Sequence, residues 1–414
     1  MPDIKQEGEY TLRLKDKPLV TFQLLSQSDT INGRKIKEYH LQILDVQNES
    51  VLPIPLQGNL TEQSLLDWIK RRKAPRNRQF IKNILKAIDD DDNPMRYVNV
   101  SHALSLNDAF WITNHEFVEK WDEMNLYHHK FDLLLANIAF TGYGSSVKGP
   151  VASPELTSKG ALKKCWVNRK DGIYLLKGDD FIKREDNRSQ ATLEYYAAQV
   201  ASVMGFPHIP YDLEEFHHQN GEKEIVCSCK LFTSENVGYI DAYYFFKKKG
   251  LDLDKEDPSS ALTQMKMARC YGWKEYADLM VYDALILNQD RHLGNFGYLI
   301  NNNTEEFLRP APIFDNGFCL LYGAANVDMQ NVEAYADTLQ GKYLSFDRQA
   351  ELFLERRHLA GIRRLLKFKF QKHPKYNIAD ATLDKMNQVI QYRAKRLLAI
   401  AAEIKATRPK GLQH

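Results

Sequence analysis

Cysteine is scarce in this chain: there are five among 414 residues, an odd number. Only Cys227 and Cys229 lie close together, and no second Cys or His pair stands at zinc-finger spacing. That argues against a disulfide framework and a structural zinc site, and reads as reduced thiols in a cytosolic protein. Long apolar runs are missing too. None approaches the roughly 20 residues of a membrane span, and Met1-Pro-Asp-Ile-Lys-Gln-Glu7 lacks the apolar core of a secretory signal. A cytoplasmic location with no membrane partner is therefore expected. Charge of one sign is absent, the net value being +2, so direct nucleic-acid binding is not expected. No Gly-Lys-Ser/Thr sequence occurs, which removes a P-loop NTPase. There is no internal repeat and no low-complexity linker.

What is present is ordinary globular material, 43% hydrophobic and 27% charged, long enough for two or three domains. Glu9–Leu14, Leu19–Leu24 and Tyr39–Leu44 alternate with period two and predict strands. Thr61 is an N-cap candidate for a helix through Lys70, and a second helix is expected over Gln79–Ile88, stopping at Asp89-Asp-Asp-Asp-Asn-Pro94. After about Phe131 come a Gly- and Ser-containing stretch from Gly142 to Gly160 and strand candidates at Lys164–Val167 and Ile173–Lys177. A helix over Gln190–Met204 closes at Gly205, and Lys223–Phe232 reads as another strand. Beyond Thr233 the spacing is helical apart from one hairpin. The expected division is an accessory region over 1–125, a strand-rich lobe over 126–233 and a helical lobe over 234–408, with a nucleotide cleft between the lobes.

Asp290-Arg-His-Leu-Gly-Asn295, followed by Asp315, carries the chemistry. Phosphoryl transfer needs a carboxylate to orient a hydroxyl and oxygen ligands to hold Mg²⁺ against the phosphates. Asp-x-x-x-x-Asn with a later Asp is the spacing of a kinase catalytic loop. Asn295–Ile300 and Phe307–Phe314 read as the two strands of a hairpin turning at Asn301–Glu306, which would bring Asn295 and Asp315 to one mouth beside Asp290. Taken singly, Asp290 is an ordinary turn residue and Asp315-Asn-Gly317 a type I′ turn. Acidic groups at the ends of two apolar elements are costly unless paired or metal-bound, which favours the site. His292 reads as a brace for the loop, and Arg291 as a second brace or the partner of a carboxylate.

Lys177 ends an apolar strand and would point a positive charge at ATP phosphates. Glu194, on the following helix, is its expected partner. Two segments compete for the phosphate-binding turn, Thr157-Ser-Lys-Gly-Ala-Leu-Lys-Lys164 and Gly142-Tyr-Gly-Ser-Ser-Val-Lys148.

With these residues in view, the chain resembles the HipA-type serine/threonine kinases of bacteria over roughly residues 130–400. The resemblance rests on Asn288-Gln-Asp-Arg-His-Leu-Gly-Asn-Phe-Gly297, Pro312-Ile-Phe-Asp-Asn-Gly317, Tyr174-Leu-Leu-Lys177 and Glu194-Tyr-Tyr-Ala-Ala-Gln-Val-Ala201. It implies an α+β, two-lobed protein-kinase-like fold with an extra N-terminal α/β region. It also implies ATP and Mg²⁺ as cofactors, Asp290 as the base, Asn295 and Asp315 as metal ligands and Lys177 as the ATP lysine. It favours Ser158, Lys159, Gly160 and Lys164 as the phosphate loop, with Ser158 as the autophosphorylation site and Thr157 or Ser153 as alternatives. It further implies a protein substrate and a separately encoded antitoxin partner. The first 100 or so residues do not match the family's usual N-terminal subdomain, and no antitoxin-like helix-turn-helix stands in the chain.

Two other readings compete. A small-molecule phosphotransferase of the aminoglycoside or choline type shares the Asp-x-x-x-x-Asn spacing but typically carries His where this chain has Asn288. A nucleotide-binding pseudokinase would use Arg356-Arg357 and Arg363-Arg-Leu-Leu-Lys367 as a docking face.

Overall fold

The computed structural model describes residues 4–31, 34–89, 93–115, 119–147, 151–180, 182, 184–218 and 221–407. Lys148 and the acidic residues Asp90, Asp91 and Asp92 lie outside them. Two compact units divide the chain, one of residues 1–176, 231–240 and 299–309, the other of 177–230, 241–298 and 310–414.

In the first unit the period-two segments become long strands, β1 (Ile4–Leu14), β2 (Lys17–Ile31) and β3 (Arg34–Val46), joined by β4 (Phe110–Asn114) in the antiparallel order β3-β2-β1-β4. Leu12 lies opposite both Val20 and Ile112, and all three are fully buried. Each such side chain contributes about 1.5–3 kcal/mol through burial. Against this sheet stand α1 (Glu62–Arg72), α2 (Ile81–Ala87), α3 (Arg96–Ser101), α4 (Trp121–Met124) and α5 (Leu133–Thr141), whose apolar residues share its core. Thr61 does cap α1, its hydroxyl accepting from the Ser64 amide while the Ser64 side chain accepts from the Thr61 amide. Next come β5 (Lys164–Arg169) and β6 (Gly172–Lys177). The division of the chain falls inside β6, so that Lys177 is the first residue of the second unit.

The second unit opens with α6 (Gln190–Met204), as the sequence predicts, ended by Gly205 in the left-handed conformation (φ 76°). A hairpin of β7 (Asp212–His217) and β8 (Lys223–Lys230) lays Leu213 and Cys227 on Ala191 of α6. The strand β9 (Val237–Asp241) corrects the expectation that everything past Thr233 except the hairpin is helical. Five residues, the second of them Gly238, are too few to show a period. β9 joins β10 (Gly297–Asn301) and β11 (Phe307–Pro310) in the sheet order β11-β10-β9, whose residues 237–240, 299–301 and 307–309 belong to the first unit. The returning strand is shorter than predicted because Pro310 and Pro312 have no N–H to continue the ladder.

Helices α7 (Ala242–Lys248), α8 (Ala261–Tyr271), α9 (Trp273–Ile286), α10 (Val332–Thr338), α11 (Phe346–Phe353), α12 (Leu359–Leu365) and α13 (Asp380–Thr407) complete the second unit. From Tyr276 to Ile286 every residue of α9 is buried, which marks it as the interior helix. Among the described residues no helix is long and apolar enough to cross a membrane.

The start of α6 is anchored twice. Ser189 and Thr192 cap it reciprocally, and Asp179 accepts from the Gln190 amide at 3.0 Å. Burial pushes the Asp179 carboxyl up to about 6 from an ordinary 3.8; the Gln190 N–H pulls the other way and Asp180 adds to the rise. The folded protein thus holds this proton more tightly than the unfolded chain. Stability from the group is fully present below about pH 4 and is lost as pH rises through about 6. Asp179→Asn keeps an acceptor for Gln190 and removes the buried charge. We expect it to stabilise the protein by up to about 3 kcal/mol at pH 8 and by little near pH 4. Urea unfolding at both pH values checks this, and an equal effect at the two would contradict it.

Candidate active site

The Asp290–Asn295 segment follows directly on the end of α9. Leu287 takes a left-handed conformation (φ 57°) and stops the helix, and the Asn288 amide bonds back to the Asp283 carbonyl. The loop then closes on itself. The Asn295 side-chain amide donates to the Asp290 carbonyl at 2.9 Å, and the Asn295 backbone N–H donates to the His292 carbonyl. His292 Nδ1 accepts from the Gly294 amide at 3.0 Å, so the ring braces the loop. The Asp290 side chain is about half exposed.

On the other side of the site, Asp315 also has positive φ (57°), in a segment fastened at both ends. Ahead of it, Ile313 exchanges backbone bonds with Pro207 and Ile209; after it, Leu320 bonds to the Ile286 carbonyl. Gly317 allows this segment to lie on α6, since a Cβ there would stand 2.7 Å from the Gln190 carbonyl oxygen. The Lys177 ammonium donates to Glu194 at 2.8 Å and also to Asp315. Glu194 is fully buried, and its second oxygen accepts from the Asn316 amide at 2.7 Å. Burial opposes charge on Lys177, but the Asp315 and Glu194 carboxylates outweigh it and hold the lysine well above its ordinary pKa. Lys177 is therefore a fixed cation at any physiological pH.

Sequence reasoning missed Asp283. Its fully buried carboxylate accepts from the Asn288 side chain at 3.0 Å and from Arg291 through Nε and Nη2, both at 3.0 Å. Arg291 then reaches the carbonyl oxygens of Asn295 (2.7 Å) and Phe314 (2.6 Å) through Nη1, and Asn316 Oδ1 (2.6 Å) through Nη2. The one signal in the sequence was an aspartate in an otherwise apolar helix turn ahead of the motif.

The donor set suits a hard dication. Asn295 spends its amide N–H on Asp290, which leaves its oxygen for a ligand, and Asp315 adds a carboxylate. Mg²⁺ usually takes one or two carboxylates plus phosphate oxygens and water rather than a protein cage. Among the described residues no group of three or more His, Cys, Asp or Glu stands placed to hold a metal.

The 157–164 segment belongs to the first unit. Thr157 and Ser158 are buried, and the Ser158 hydroxyl donates to the Pro154 carbonyl and accepts from Trp166 Nε1, each at 2.8 Å. Lys159 donates to the Arg71 carbonyl and Lys164 to the Lys159 carbonyl, while Gly160 sits at φ 93°. A buried Arg78–Glu155 ion pair at 2.8 Å anchors the base of the loop. Ser153 is fully buried, its hydroxyl accepting from the Glu155 amide. In the rival stretch, Gly142 ends α5 with φ 78° and Val147 bonds to the Ala87 carbonyl, so its described backbone serves local structure.

No protein-family model matches the chain. The serine/threonine-protein kinase CtkA of Helicobacter pylori is 29% identical over 165 residues, 37% of this chain and 47% of that protein. The chain thus spans about half the length of the curated relative it matches. Among solved structures, a chain of the Shewanella oneidensis toxin–antitoxin complex of HipA, HipB and operator DNA aligns with 96% of this chain and 100% of its own length. Its TM-score is 0.53 at 10% identity, a likeness of fold. The crystal structure of the H. pylori proinflammatory kinase CtkA aligns with 62% of this chain and 94% of its own, with a TM-score of 0.46 at 20% identity.

Proposed function

We propose that this chain is a kinase of HipA type, a Mg²⁺- and ATP-dependent protein kinase acting on serine or threonine hydroxyls. The observation that carries the reading is the buried cluster in which one lysine, Lys177, meets both Glu194 and Asp315. Glu194 holds the ammonium in place, and ATP phosphates take up its remaining capacity. Asp290 orients the acceptor hydroxyl and receives its proton. Asn295 and Asp315 hold Mg²⁺, which when bound neutralises charge on the β- and γ-phosphates. In this reading the chain is two-lobed, residues 126–233 forming the strand-rich lobe, 234–408 the helical lobe and 1–125 an accessory region. Residues 158–164 form the phosphate loop. Ser158 is its autophosphorylation site, and the hydroxyl must leave Pro154 and Trp166 to be modified.

A protein substrate and a cytoplasmic location belong to the same proposal. The Shewanella assembly joins HipA to HipB and operator DNA, which supports an antitoxin-type partner here. For the same reason the expectation against nucleic-acid contact is not carried forward. The small-molecule reading loses support because Asn288, where that class typically has His, is committed to Asp283.

Lys177→Met tests the reading at the level of binding. Losing a charged donor to phosphate weakens Mg·ATP binding by about tenfold or more. The variant also leaves Glu194 and Asp315 without their cation, so calorimetry is done well below its unfolding midpoint. Wild-type affinity in the folded variant would contradict the role of Lys177.

A further inference from the structure

We infer that Arg291 is a positioning residue that sets the separation of the two proposed metal ligands, with Asp283 as its buried counter-ion; this rests on the phosphotransfer reading above. Arg291 is 3% exposed and uses all five of its N–H donors. Two go to Asp283 and one to Asn316. The remaining two, both on Nη1, go to the carbonyl of Asn295, itself a proposed ligand, and to that of Phe314, the residue before the other. One nitrogen therefore ties together the two backbone strands from which the ligands project. The planar guanidinium fixes that span more rigidly than any flexible group could.

The network continues to the proposed nucleotide lysine. Asn316 accepts from Arg291 and donates its amide to Glu194, which holds Lys177. Asp283 touches none of the reacting groups. Its carboxylate orients the fork and balances its charge in the interior, where an unpaired ion would be strongly destabilising. Burial and the Arg291 pairing act against each other on Asp283, and burial raises its pKa. The same pairing outweighs burial on Arg291 and keeps it charged.

Arg291→Lys is the test, because lysine retains the ion pair with Asp283 but its compact ammonium cannot span both carbonyls and Asn316. Mn²⁺ affinity in the presence of ADP, read by electron paramagnetic resonance, should fall about 10–100-fold, as for other groups that orient metal ligands. ADP affinity in EDTA should be unchanged. In metal- and nucleotide-free protein, amide exchange should rise at 295–297 and 313–317, and raising the Mg²⁺ concentration should restore turnover, which a merely structural defect would not allow. If wild-type protein fails to bind Mn·ADP, the phosphotransfer reading fails; if Asp315→Asn binds it equally well, Asp315 is not a ligand and the metal-ligand premise of this inference fails. If those controls behave and Arg291→Lys binds Mn²⁺ like wild type, with unchanged exchange, the positioning role is overturned alone. Should Arg291→Lys not fold, the apolar double variant Asp283→Leu/Arg291→Met, which leaves no buried charge unpaired, is read by the same criteria.

Discussion

Asp290→Asn is expected to lower turnover by about 10²–10⁴-fold while leaving Mg·ATP binding intact. The size follows from removing a positioned proton acceptor from the transition state. Preserved binding follows from where the residue stands. Its carboxylate is half exposed on the loop, and the bonds that shape the loop run through backbone atoms and the Asn295 and His292 side chains. Asparagine fits the same space and leaves those bonds in place. Binding and turnover should therefore separate cleanly, with an unchanged KM for ATP beside the fall in kcat. A variant with near-wild-type turnover would remove Asp290 from the mechanism.

For Asp315→Asn the two quantities should fall together. Turnover is expected to drop at least as far, about 10²–10⁴-fold, because the variant removes charge that stabilises the transition state through the metal. Mn²⁺ binding in the presence of ADP should be lost as well. The structure adds a stability effect: Asp315 and Glu194 together hold the Lys177 ammonium, so the variant leaves a buried lysine with one carboxylate. Melting temperature and metal binding measured on one preparation separate these effects. Retained Mn²⁺ affinity would show that Asp315 is a structural partner of Lys177 and not a ligand.

Local chemistry made much of this arrangement legible. The helix over 190–204 has Ser189 before it and Gly205 after it, and such caps are written in neighbouring residues. The approach of Lys177 to Glu194 could be expected from a strand-end lysine followed by an amphipathic turn into a helix; their role toward nucleotide remains part of the proposal. The hairpin joining Asn295 to Asp315 was visible because apolar runs flank an Asn-rich turn. Asp283 was not, because an aspartate in an apolar helix turn is only a weak local signal and its meaning depends on Arg291, eight residues on, folding back and on Phe314 arriving from a distant segment. The strands β4 and β9 were missed because each is short and pairs with a strand remote in sequence. Ser158 read as part of a phosphate-binding turn, yet Trp166 and Pro154 cover its hydroxyl, and the Trp166 contact exists only once the strand after it is in place.

The most direct test of the central claim is intact mass after incubation of the purified protein with Mg·ATP, beside Asp290→Asn, followed by mapping of any modified residue. A phosphate-sized gain is expected in the wild type, absent in the variant, on a serine or threonine of the 153–158 segment with Ser158 foremost. No gain in the wild type, under conditions where Mg·ATP binding is demonstrated, would contradict a self-phosphorylating protein kinase and turn the same site toward small-molecule phosphotransfer.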